Sequence, residues 1–224
     1  LTALLDRAQK GNYRPQPKRE VLIPKPDGKK RPLAIGCFED KLVDWVVSKI
    51  LSAVYEPIFI RNSFGYREGK STDQAMRACY NSLHKGKRPY VVEIDFKSFF
   101  NTIPHRKLLS FIGKRIEDHR LKRLILRLLQ TSVIREDGNA VPTKIGTPQG
   151  GLASPVLANI YLHEVLDIWF LENWASHTKT IVRYADDAVF FFDKEEDARR
   201  FLKELELRTE HYGLTLHPDK TKML

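Results

Sequence analysis

Apolar positions follow two periods along this chain, and the alternation between them lays out the fold. Tyr90-Val91-Val92-Glu93-Ile94-Asp95 and the run Ile181-Val182-Arg183-Tyr184-Ala185-Asp186-Asp187-Ala188-Val189-Phe190-Phe191-Phe192 are rich in β-branched and aromatic residues, which favour strands. The second run predicts two strands, 180–185 and 188–193, with a tight turn between them. Elsewhere the spacing is helical. Leu42, Trp45, Val46, Ile50 and Val54 mark one helix, and a second opens at Ser71, where Gln74 stands three residues on as in a capping box. Further helices are expected around 105–130, over 154–174 and over 195–211, with a closing strand near 214–217. Pro24-Lys25-Pro26-Asp27-Gly28 and Asp137-Gly138 each predict the turn of a hairpin. From residue 90 onward the order is β-α-β-β-α-β, a ferredoxin-like arrangement of α+β class.

Charge is placed against this pattern in three positions. Asp186 and Asp187 sit side by side inside an apolar hairpin, and Asp95 ends a strand that runs into the aromatic turn Phe96-Lys97-Ser98-Phe99-Phe100. Adjacent carboxylates in a half-buried turn either raise one another's pKa or take up a cation, and hard oxygen donors suit a divalent metal. Taken alone, Tyr184-Ala185-Asp186-Asp187 is equally compatible with a polar β-turn. A third segment, Lys144-Ile145-Gly146-Thr147-Pro148-Gln149-Gly150-Gly151, is a glycine-rich loop leading into the helix predicted from Ser154.

Composition narrows the classes. The 224 residues are 42% hydrophobic and 29% charged, enough for a sizeable core, and the net charge is +10. The basic excess is uneven: residues 1–70 hold 14 Lys and Arg against 8 Asp and Glu, residues 71–150 hold 15 against 7, and residues 151–224 hold 9 against 13. A surface of that kind attracts phosphate backbones by counterion release. Cys37 and Cys79 have no metal-ligand or disulfide spacing, which fits a reducing compartment, and the histidines, His105 and His163 among them, show no paired ligand spacing. No apolar run approaches a membrane span, so no membrane partner is expected. Gly65-Tyr66-Arg67-Glu68-Gly69-Lys70-Ser71 looks like the end of a phosphate-binding loop, but only three residues separate its glycines where four are needed.

Six motifs in order (IPKPDGKKRPLAI, SFGYREGKS, EIDFKSFFNTI, GTPQGG, YADD and GLTLHPDKTKM) together resemble the reverse transcriptase family, in its group II intron-encoded form, from about Pro17 to Leu224. The resemblance implies a right-hand polymerase with fingers over 1–89 and a ferredoxin-like palm over 90–224, the latter carrying inserted segments around 105–150, and with the thumb absent from this chain. It implies an RNA-directed DNA polymerase that extends a DNA or RNA primer on an RNA template with deoxynucleoside triphosphates, using two Mg²⁺ ions or Mn²⁺. Asp95, Asp186, Asp187 and the carbonyl of Phe96 would hold metal. Lys220 would protonate the leaving pyrophosphate, while Lys25 and Arg31 would clamp the triphosphate and the amides of Ser98 and Phe99 would contact it. Phe100 would exclude the ribose 2′-hydroxyl, Gln149 would order the nucleotide, and Arg67, Lys70, Gly150 and Gly151 would meet template or primer. Intron RNA is a further expected partner and a prokaryotic cytoplasm the expected location. A CRISPR-associated or defence enzyme and a maturase-type RNA-binding scaffold are the alternatives.

Overall fold

The computed structural model describes residues 2–24, 28, 30–175 and 179–224. In chain order its elements are α1 (Thr2–Gln9), β1 (Lys18–Pro24), β2 (Lys30–Ile35), α2 (Phe38–Tyr55), α3 (Thr72–Tyr80), β3 (Tyr90–Ile94), α4 (Phe99–Thr102), α5 (His105–Gly113) and α6 (His119–Gln130). There follow β4 (Val133–Ile134), β5 (Ala140–Val141), α7 (Ser154–Leu162), α8 (Ile168–Asn173), β6 (Thr180–Tyr184), β7 (Asp187–Phe192), α9 (Glu195–His211) and β8 (Lys222–Met223). Among the described residues no helix is long and apolar enough to cross a membrane.

The chain forms two compact units, 1–54 with 100–158 and 55–99 with 159–224. They do not divide at the expected boundary of 89: the segment 55–89 belongs with the sheet that begins at Tyr90. Helix α3 shows why, because Ala75, Ala78 and Cys79 pack with Phe64 against Val91, Val182, Val189 and Phe191 of that sheet. Its N-terminus is closed as the sequence predicts, with Gln74 N–H donating to Ser71 Oγ and Ser71 N–H to Gln74 Oε1.

In the first unit β1 and β2 form an antiparallel hairpin in which Arg31 stands opposite Ile23, and the order is β2-β1-β4-β5. The turn of this hairpin, with Lys25, lies largely outside the described residues. Helix α2 buries a different face from the expected one. Val43, Val47 and Leu51 are in the core, whereas Trp45, Val46 and Ile50 are exposed. The buried stripe also carries Asp40 and Asp44, and these acids are accommodated because each has donors: Tyr13 Oη and Gln16 N–H for Asp40, Leu152 N–H (2.6 Å) for Asp44. Carboxylates on the inward face disguised it as the polar one.

The second unit is built on an antiparallel sheet ordered β6-β7-β3-β8. In ferredoxin-like numbering that order is 2-3-1-4, as the β-α-β-β-α-β reading requires. The closing strand is displaced from the expected 214–217 to Lys222–Met223, and the earlier segment contributes only the single bridge Leu216 to Phe96. The helix expected over 154–174 is also interrupted, by a π-helical turn at His163–Asp167 between α7 and α8. One sheet face rests on an aromatic cluster in which the Phe201 ring lies 4.5 Å from Phe190, 5.2 Å from Phe192 and 5.3 Å from Trp174.

On that same face, between Val182 and Tyr184, the fully buried Arg183 meets Asp167 of the π-turn with Nε and Nη2 at 2.8 and 2.6 Å. Burial would push the Asp167 carboxyl up, but Arg183 and His163 beside it hold it below the usual carboxylate value. Arg183 Nη1 also donates to Asn159 Oδ1 (2.8 Å) and to the carbonyl of Ala185 (2.9 Å). Arg183→Met leaves Asp167 in the core without its guanidinium partner and is expected to cost about 3–5 kcal/mol. Arg183→Met with Asp167→Leu should recover most of it, as checked by urea unfolding of the full-length protein.

Candidate active site

The candidate site lies at one end of the second unit's sheet. Continuing the β3–β7 register one step beyond its last pair, Ile94 with Ala188, sets Asp95 opposite Asp187. Side chains alternate across a strand, so Glu93, Asp95 and Asp187 share one face, and Asp186 follows in the turn that joins β6 to β7. That turn is a two-residue connection with Tyr184 paired to Asp187. Ala185 at its first central position has φ +57°, a conformation that glycine adopts freely and alanine at a cost of about 1 kcal/mol or more. It is held there from two sides. The Ala185 carbonyl accepts Arg183, and Gly65 lies so close beneath that a Cβ on it would stand 2.3 Å from the Ala185 nitrogen. Asn159 fixes Gly65 through its carbonyl at 2.8 Å.

Beyond β3 the chain is gripped by the segment after α9. Asp95 C=O accepts His217 N–H and Lys97 N–H donates to Thr215 C=O, both at 2.8 Å. Since the amide and carbonyl of one residue point to the same side of a strand, this ladder leaves the Phe96 carbonyl directed to the opposite side, toward the β7 edge. Lys220, brought round by the same segment, donates its ammonium to Asp95 Oδ2. The carboxylate raises the Lys220 pKa above its ordinary value.

The electrostatics of the three carboxylates are unfavourable as they stand. Burial, then the charge of Asp95, raises the Asp186 pKa; burial, then Asp186, Asp95 and Glu93, raises that of Asp187. Among the described residues no group of three Asp, Glu, His or Cys side chains is set, as it stands, to enclose a metal ion, and the ammonium of Lys220 lies on Asp95 instead. The donor chemistry nevertheless fits a hard divalent cation: carboxylate oxygens mutually repelled, a backbone carbonyl beside them, and one internal cation already drawn in.

The remaining candidates divide. Ser98 is exposed with φ +53°, and Phe99 buries its ring 5.6 Å from Phe96. Arg67 is not available to a nucleic acid. Its guanidinium is bound to Glu56 at 2.6 Å and to the carbonyls of Ile60 and Ser63 at 2.8 and 2.6 Å, above the Phe59 ring, with 5% of the side chain exposed. Lys70 stays at the surface, its ammonium 5.5 Å from the centre of the Phe64 ring.

In the other unit, Arg31 is exposed on β2. Phe100 accepts Thr147 N–H through its carbonyl (2.6 Å), the Gln149 carbonyl accepts Ala34 N–H (2.8 Å), and the Gln149 amide reaches Asn101 (3.3 Å). Gly150 has φ +98°, a conformation that favours glycine, and a Cβ on Gly151 would stand 2.7 Å from Ser154 Oγ and 3.3 Å from the Pro148 carbonyl, so local structure by itself favours glycine at both positions.

Sheet order and carboxylate placement together match the palm of a right-hand polymerase. Residues 23–224 match the family model described as reverse transcriptase (RNA-dependent DNA polymerase), and the chain belongs to that family. It is 41% identical over 71% of its length to an uncharacterized 91 kDa protein in a cob intron of Schizosaccharomyces pombe, and 39% identical over 72% to the group II intron-encoded protein LtrA of Lactococcus lactis. It spans 19% and 27% of those two relatives. The fold is shared with apo telomerase of Candida tropicalis, with a TM-score of 0.71 at 16% identity over 93% of this chain and 50% of that one.

Arg183, Asp167 and Asn159 support the carboxylate turn and lie outside the matched motifs, whereas Gly65, which packs under the same turn, lies within one of them. The signal was present in part, since Arg183 breaks an apolar strand and Asp167 an apolar helix, each a charge that needs a buried partner.

Asp186 and Asp187 have raised folded pKa values, so the folded state binds their protons more tightly than the unfolded chain does. Their contribution to stability is complete below the ordinary carboxylate value of 3.8 and is lost as pH rises through the raised values. In metal-free buffer Asp187→Asn is therefore expected to raise the melting temperature of the full-length protein at neutral pH, and the gain should vanish under acid. Added Mg²⁺ should raise the melting temperature of the wild type more than that of the variant, as read by calorimetry.

Proposed function

We propose that the protein to which this chain belongs is an RNA-directed DNA polymerase of group II intron-encoded type. The observation that carries this is the convergence of Asp95, Asp186 and Asp187 at one sheet end, two of them with raised pKa values and the third bound to Lys220. Asp95, Asp186, Asp187 and the Phe96 carbonyl would hold the metal, two Mg²⁺ ions by the family pattern. When bound, these ions supply charge stabilisation to the attacking and leaving oxygens of nucleotidyl transfer. Lys220, an ammonium already beside Asp95, is suited to give its proton to the departing pyrophosphate. The Ser98 and Phe99 amides would meet the triphosphate.

Arg31 and, outside the described residues, Lys25 would clamp the same triphosphate, and Gln149 would order the nucleotide; these roles rest on the motif matches. Lys70, Gly150 and Gly151 are assigned to template and primer on the same ground. Similarity to two intron proteins supports the intron-encoded type over a CRISPR-associated or defence enzyme. Retention of all three carboxylates supports an enzyme over a splicing scaffold that has lost the reaction.

Asp186→Asn in the full-length protein is expected to reduce primer extension on an RNA template by about 10³-fold or more, since a neutral amide cannot replace a metal-binding charge. Substantial extension by the variant in Mg²⁺ would overturn the assignment. Phe100→Val should raise the catalytic efficiency for a ribonucleotide relative to its matched deoxynucleotide, by removal of the ring assigned to the 2′ position. An unchanged ratio would place sugar selection elsewhere.

A further inference from the structure

Apart from the carboxylate end, the second unit carries a groove of about 1010 Å³ along the outer edge of β6, an edge that Ser63 bridges at Arg183. It runs beside Thr180 and Ile181, whereas the carboxylate turn follows Tyr184 at the other end of that strand, about 13 Å away at 3.3 Å per residue. Helix α3 and the π-helical turn Asn81–Lys85 that continues it form one wall, where Gln74, Arg77, Ala78 and Asn81 recur at the spacing of a single helical face. The floor is apolar, from Ile58, Ile60, Ile168 and Leu171.

Charge on the groove is of one sign. Arg61, Lys70, Arg77, Arg88 and Lys179 line it, and among the described residues no Asp or Glu does. Lys179 is already paired with Asp197 at 3.0 Å. Arg61 and Arg77 are exposed and form no ion pair among the described residues, while the Lys70 ammonium makes a 3.4 Å contact to the Arg61 carbonyl and lies over the Phe64 ring. Neutral hydrogen-bonding side chains, Asn62, Gln74 and Asn81, stand between the cations. Arg and Lys interleaved with Asn and Gln form the side-chain set that contacts phosphate and sugar in nucleic-acid complexes. The aromatic rings that touch the groove, Phe64 and Phe170, are 6% and 0% exposed and offer no face for a base to stack on. The volume stands at the top of the range for small-molecule cavities, which suits an extended polymer better than a single phosphate.

We infer that this groove binds the sugar-phosphate backbone of a single-stranded RNA segment, without sequence preference, at a place separate from the carboxylate end. The inference builds on the proposed polymerase function, because it gives that protein a second hold on RNA. An anionic polymer in the groove neutralises Arg61 and Arg77, and binding there depends on phosphate count and salt and not on base identity.

The test compares full-length wild type with Arg61→Gln/Arg77→Gln, using fluorescence anisotropy with unstructured RNA 20-mers of two unrelated sequences from 50 to 300 mM salt. A control of equal charge change, Arg199→Gln/Lys203→Gln, lies on exposed positions of α9. The groove variant is expected to bind both RNAs about tenfold more weakly at 100 mM salt, with a log–log salt slope shallower by about 1.4, two contacts at about 0.7 each. The control should change neither. Equal losses in the two variants would mean general attraction only, and an unchanged affinity and slope in the groove variant would exclude RNA from the groove; either outcome overturns the inference. Circular dichroism melting verifies that both variants are folded. Because the readout is binding, loss of this inference leaves the polymerase assignment standing, and an inactive wild type would fail that assignment without deciding the groove.

Discussion

A single guanidinium fixes the part of this molecule on which its chemistry depends. Arg183 is fully buried, and a buried charge is tolerable when it is paired and hydrogen-bonded. Its partners are Asp167 at two distances below 3 Å, Asn159, and the carbonyl of Ala185. Through the last of these it sets the turn that presents Asp186 and Asp187, and through Asn159 it is tied to Gly65, which the same turn overlies. The π-helical turn at His163–Asp167 belongs to the same constraint, because the acid that Arg183 requires is one of its residues. This ion pair and its neighbours connect the interrupted helix, the positive φ of Ala185 and the glycine at 65.

The carboxylate end is the complement of that rigid support. It is a place where the fold holds like charges together instead of separating them. Burial and mutual repulsion raise two of the three acids, and the ammonium of Lys220 is recruited onto the third. A site of that kind is stabilised by whatever positive charge it can admit, which is the property nucleotidyl transfer requires of it. Rigidity matters here because carboxylates on a mobile loop would relax apart and lose the pressure to bind a cation.

Much of this was legible from sequence because periodicity and motif order carry local information. Strand β3, the β6–β7 hairpin, α9 and the capped start of α3 fall within a residue or two of their expected bounds. What was not legible came from long-range pairing. The inward face of α2 was hidden because Asp40 and Asp44 look polar until Tyr13 and Leu152 supply their donors. Arg67 reads as a phosphate ligand in its motif, yet Glu56 and two backbone carbonyls consume its guanidinium. The closing strand moved to Lys222–Met223 because a two-residue pairing has too little pattern to detect. The segment 55–89 joined the sheet unit because Phe64 and α3 bury their apolar residues on it.

The central claim is that the support built on Arg183 presents Asp95, Asp186 and Asp187 as one cation-binding group. A crystal structure of the full-length protein grown with Mn²⁺, with anomalous differences recorded near the manganese edge, tests it most directly. The account predicts anomalous peaks bounded by these three carboxylates and the Phe96 carbonyl, the Lys220 ammonium drawn off Asp95, and the Arg183–Asp167 pair unchanged. Manganese peaks elsewhere, with the carboxylates bare and Lys220 still on Asp95, would contradict it.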